Sequence, residues 1–87
     1  MTDNLGYRSN DGRPATAGGK EFFELGMMYT VGSSVPVDLV SAHKWFNLAA
    51  MAGNADAVRL RHEIAAEMSE REITTAQRAA RDWLTRH

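Results

Sequence analysis

The sequence predicts an all-α protein: a short α-solenoid of two antiparallel helix pairs, four helices in all, preceded by a flexible amino-terminal tail. Apolar residues recur at helical spacing from Phe22 onward. Clusters of Gly, Ser, Pro, Asp and Asn break that pattern where helices should stop and start. The apolar frame of the first pair then returns one repeat length downstream. With 87 residues and 44% hydrophobic content, the chain makes one small domain at most. Such a domain buries a smaller fraction of its surface than a large one, so it needs very good packing or a supporting partner.

Residues 1–19 form the expected tail. They carry Gly6, Gly12, Gly18, Gly19 and Pro14 and almost nothing apolar except Leu5 and Tyr7. Such a stretch cannot bury enough surface to offset its ordering entropy. The helical domain is expected over residues 20–87.

The first helix starts at Lys20 and places Phe22, Leu25, Gly26 and Tyr29 on one face. Phe23, Met27 and Met28 are also apolar, which leaves mainly Lys20, Glu21 and Glu24 for water. A helix apolar nearly all round must be covered nearly all round. Gly26 in a helix interior costs about 1 kcal/mol relative to Ala, which points to close approach by a neighbouring helix. The helix ends at Val31 or Gly32, where an αL-capable glycine is followed by Pro36.

Asp38 caps the second helix, expected over Leu39–Ala52 with Gly53 just beyond its end. Its buried side carries Leu39, Ala42, Trp45, Phe46, Ala49 and Ala50. The alanines permit tight packing and the aromatics supply bulk. Asn54 is a good cap for a third helix running to Met68, and Ser69-x-x-Glu72 is a capping box that opens a fourth. The expected core of this half is Ala57, Leu60, Ile64, Met68, Ile73, Ala76, Ala80, Trp83 and Leu84.

Leu25-Gly26-x-x-Tyr29, Gly32, Val35, Asp38, Ala42-x-x-Trp45-Phe46, Ala49-Ala50 and Gly53 together resemble the signature of the Sel-one-like repeat family, α-solenoid units related to tetratricopeptide repeats. Ser33-Ser34 replaces the usual glycine-containing step of the loop. The resemblance implies a right-handed stack of antiparallel helix pairs, with the first helix of each pair on the concave, partner-binding side. Moving the frame one repeat downstream sets Phe22, Leu25, Gly26 and Tyr29 against Ala57, Leu60, Arg61 and Ile64. It also sets Leu39, Ala42, Phe46, Ala49 and Ala50 against Ile73, Ala76, Ala80, Trp83 and Leu84. The apolar frame survives and the signature is lost. Solenoids generally need about three repeats, so two pairs call for a cap, which Trp83, self-association or a larger assembly would supply.

The formal charge of −1 leaves no positive excess to hold a phosphate backbone, so nucleic acid is not an expected partner. Charges expected at i, i+4, namely Arg59/Glu63, Glu67/Arg71, Arg78/Asp82 and Asp82/Arg86, read as a solvated face. There is no cysteine and hence no disulfide. No apolar run approaches the roughly 20 residues of a membrane span, and the start lacks a signal-like pattern, which predicts a cytoplasmic protein without membrane insertion.

No nucleophile sits beside a base, and no metal-ligand spacing is present. His43, His62 and His87 are far apart, and His62-Glu63 diverge as helix neighbours. No catalytic residue, cofactor or metal is expected. The functional signal is apolar surface: Phe23, Met27, Met28 and Tyr29 are the candidate partner-binding residues, methionine being suited to adaptable surfaces. The chain reads as a non-enzymatic protein–protein interaction module or adaptor, or alternatively as a small accessory or assembly subunit of a larger complex, membrane-bound or not.

Overall fold

The computed structural model describes residues 13–86, with side chains from Gly18. The expected tail up to residue 12, with Leu5 and Tyr7, lies outside the described residues, as does His87. Four helices follow in order: α1 (Arg13–Val31), α2 (Leu39–Met51), α3 (Ala55–Ala65) and α4 (Glu70–Arg86). No strand occurs among the described residues, so the all-α class expected is the one observed.

The first helix starts at Arg13, upstream of the expected Lys20. Tertiary contact overrides the poor helix propensity of Gly18-Gly19 here. Gly19 is buried, and a side chain on it would sit 3.5 Å from the Cβ and carbonyl of Ala52. Asn54 Nδ2 also donates to the Gly19 carbonyl at 3.4 Å. Pro14 falls in the first turn, where its missing N–H is no loss.

Local side-chain chemistry sets most other boundaries. Gly32, at φ +74°, ends α1 as its N–H returns to the Met28 carbonyl at 3.0 Å. Asp38 opens α2 by accepting from the Ser41 N–H at 3.1 Å. At the far end of α2, Gly53 takes φ +99° and its N–H bonds to the Ala50 carbonyl, while the Asn54 N–H bonds to that of Ala49, a Schellman arrangement. Asn54 Oδ1 then accepts from the Ala57 N–H at 3.0 Å and caps α3. One residue therefore closes α2, opens α3 and holds α1.

The third helix stops at Ala65, short of the expected Met68. The N–H groups of Ala66, Glu67 and Met68 bond three residues back, so the chain tightens out of α geometry before α4 begins. The capping box is complete: the Ser69 N–H donates to Glu72 Oε1 at 2.9 Å and the Glu72 N–H to Ser69 Oγ at 3.1 Å.

The core gathers on α2. Ala42, Phe46 and Ala49 are fully buried and join Ala57 and Ile64 of α3, with Phe22, Phe23, Met27, Tyr29, Leu39, Ala50, Leu60 and Met68 packed around them. Phe46 lies so close to α1 that a Cβ on Gly26 would come within 2.5 Å of its ring. The close approach inferred from Gly26 is thus present.

The second helix packs on α1, α3 and α4 alike, whereas α3 and α4 scarcely meet each other. Burial on several sides of α2 explains why His43 and Leu48, outside the expected stripe, are also buried. In α4, Ala76 and Ala80 are buried and Ile73 and Trp83 half-buried, as expected, but Leu84 is 47% exposed. It sits in the last turn of α4, the last helix among the described residues. Of the expected i, i+4 ion pairs, Arg59–Glu63 forms at 3.4 Å. The others are not within ion-pair distance among the described residues.

Candidate partner-binding surfaces

Two surfaces hold side chains that the fold does not use up. The first is the outer side of α1, whose main helix neighbour among the described residues is α2. Phe23, Met27, Met28 and Tyr29 are all half-buried. Phe23, Met27 and Tyr29 pack against the core, and the Phe23 ring lies 5.6 Å from that of Phe46. These three are therefore partly inner wall, which absorbs some of the apolar excess of α1. Met28 is not among the side chains packed on the core cluster. Val31, three residues further along α1, and Val37, on the turn beside Gly32, are 60% and 58% exposed. The apolar surface thus extends toward the turn beyond the residues that helical periodicity singled out.

Trp83 ties the last helix back to the first pair. Its ring meets Phe22 edge-on at 5.2 Å and Trp45 at 5.9 Å, while Phe22 stacks on Trp45 at 5.8 Å. Lys44 Nζ lies 4.2 Å from the centre of the Trp45 ring. Aromatic pairs at these separations contribute about 0.5–1.5 kcal/mol each beyond area burial. The trio serves as a clasp between the last helix and the first pair.

The second surface is a groove of about 740 Å³ left where α3 and α4 diverge over α2. His43 and Asn47 line it from α2, Val58 and Arg61 from α3, and Ile73 and Gln77 from α4. His43 is 3% exposed, and its Nδ1 has no hydrogen-bond partner. An unmet buried polar atom costs about 1–3 kcal/mol. Burial first, then the nearby Arg61 charge, lowers the His43 pKa below 6.5, so the ring is mostly neutral at pH 7.

Arg61 Nη1 donates to Asn47 Oδ1 at 2.7 Å. No carboxylate lies within ion-pair distance of Arg61 among the described residues. Its neighbour Arg59 is instead engaged by Glu63 at 3.4 Å and Asp56 at 3.6 Å.

Sequence reasoning missed this groove. Its signals were an arginine 35 residues after Gly26, where the expected frame sets the two against each other, and His43 and Asn47 spaced i, i+4 on α2 away from the apolar stripe. Among the described residues, no three His, Cys, Asp or Glu side chains are grouped to hold a metal ion. No described helix is long and apolar enough to cross a membrane. Comparison with models of known protein families, with curated proteins and with solved structures gives no significant match.

Proposed function

We propose that this chain is a non-enzymatic protein–protein interaction module of the Sel-one-like type that docks a partner on the outer side of α1. The observation that carries this reading is the uneven cover of α1. The helix has α2 as its main neighbour and meets α4 through Phe22, and Met28 and Val31 remain turned partly or largely to solvent near the turn that carries Val37. Phe23, Met27 and Tyr29 back this surface with side chains already held in place by the core, so less side-chain freedom is lost when a partner binds. A partner helix laid along α1 would find apolar anchors at helical spacing, a recognised mode of peptide capture.

The test is the double substitution Met28→Glu and Val31→Glu, followed by affinity capture and reconstitution with the purified partner. Loss of the complex with unchanged helicity and melting supports the reading. A complex of undiminished affinity contradicts it. Phe23→Ser and Met27→Ser are poorer probes because both residues also support the core.

A further inference from the structure

We propose that the groove between α2, α3 and α4 is a second binding site, separate from the α1 surface, that takes an extended peptide segment with a carboxylate side chain beside an aliphatic one, and that Arg61 is the ligand of the carboxylate. Three observations converge on it. The first is charge. Arg61 is half-buried, is held by the neutral Asn47 Oδ1 and lacks an acidic partner among the described residues. An arginine satisfied by an amide alone still has donors to offer, and its planar fork matches a carboxylate. Arg59 does not compete for the role, being already engaged by Glu63 and Asp56.

The second observation is the unmet polar atom. His43, almost wholly buried at the base of the groove, leaves Nδ1 without a partner. The atom is itself closed to solvent, so it meets an incoming backbone or side chain only after a small rotation of the ring toward the groove.

The third is the shape and lining of the space. About 740 Å³ is too large for a lone ion and suits a few residues of extended chain. Val58, 44% exposed, and half-buried Ile73 face the same space and provide an apolar seat next to Arg61. His62 and the paired Arg59 and Glu63 also line the groove, so Arg61 is its one arginine without a carboxylate partner among the described residues, which suits one carboxylate with an aliphatic neighbour better than a polyanion that needs several cations.

The repeat register explains why the space exists. Gly26 lets α1 close on Phe46 of α2, whereas the matching positions of the second pair are Arg61 and Ala80. A large cation replaces the glycine and a methyl replaces the ring, so α3 and α4 stay apart.

The experiment is titration of the ¹⁵N-labelled full chain with acetylated, amidated heptapeptides of the type Gly-Ser-Val-Glu-Leu-Ser-Gly, the two aliphatic positions varied. Gln-for-Glu counterparts and free glutarate serve as separate arms. Expected are shifts centred on His43, Asn47, Arg61 and Ile73 and an affinity about tenfold weaker for the Gln peptide. Arg61→Gln should weaken the Glu peptide by a similar factor, and Arg59→Gln should leave it nearly unchanged. If Arg61→Gln disturbs folding, the Glu and Gln peptides on the unaltered chain decide the matter. Equal binding of the two peptides, shifts centred on α1, glutarate binding as tightly as peptide, or no shift at these residues at millimolar peptide overturns the proposal. Because none of these readouts involves Met28 or Val31, the result is distinguishable from failure of the α1 reading.

Discussion

The two helix pairs have apolar positions that can be set in one sequence frame, and they pack differently. In the first, Gly26 lets the backbone of α1 come down on the ring of Phe46, and the pair closes along its length. In the second, Arg61 and Ala80 occupy the matching positions, and α3 and α4 each pack on α2 rather than on each other. Two helix pairs can thus share an apolar spacing and differ in internal contact when a glycine and an aromatic ring in one stand opposite a large residue and a small one in the other. The second pair is then stable only as a coat on α2, with the Phe22–Trp45–Trp83 clasp holding its far end. The opening that remains is where Arg61 and His43 gather.

If this contrast is right, the first pair should be the more sensitive to substitution. Phe46→Ala removes the ring on which α1 rests and should lower unfolding stability by about 3–5 kcal/mol in urea titration. Gly26→Ala should cost about 1–3 kcal/mol through overpacking against Phe46. The gain in helix propensity, at most about 1 kcal/mol, offsets only part of it. A neutral or stabilising Gly26→Ala would break the comparison at its base.

Asn54→Ala comes next, at about 1–2 kcal/mol, because it removes the cap of α3 together with the bond to the Gly19 carbonyl. Amide exchange should then quicken in both α3 and the first turns of α1. Ser69→Ala, which undoes half of the capping box, should cost about 1 kcal/mol and act mainly on α4.

The smallest effect concerns pH. The folded-state pKa of His43 lies below 6.5, so the unfolded chain binds more protons near that pH. The stability that neutral His43 contributes is present above pH 6.5 and is lost as pH falls from 6.5 toward the lowered folded value. Arg61, His62 and the paired Arg59 and Glu63 face the same groove from α3, and α4 contributes only the uncharged Ile73 and Gln77. Melting temperature should therefore fall between pH 7.5 and 5.5, and His43→Gln should flatten that slope. A flat profile in the unaltered chain would contradict it.

The parts of the fold legible in the sequence are those set by local chemistry. Asp38, Gly53, Asn54 and the Ser69/Glu72 box each place a donor or acceptor within three or four residues of its partner, so spacing alone reveals them. Gly26 was legible for a related reason, since a glycine inside an apolar helix has a cost that only close packing offsets. The start of α1 at Arg13 was hidden because Gly18-Gly19 argues against a helix, and contacts to Ala52 and Asn54 from far along the chain reverse that. The end of α3 was hidden because the turn after Ala65 uses backbone bonds open to any sequence.

Of the candidate site, periodicity brought out Phe23, Met27, Met28 and Tyr29, but a wheel does not divide them between core and solvent. The groove around Arg61 and His43 depends on two helices failing to meet, which no single helix pattern encodes.

The central claim is that α2 is the shared support of both pairs while α3 and α4 lean on it separately. Native-state amide hydrogen exchange tests it most directly. Amides from Ala42 to Ala49 should exchange only through global unfolding, whereas those of α3 and α4 should open at lower free energy, before the first pair does. Equal protection of α2, α3 and α4, with all of them opening as one unit, would contradict it.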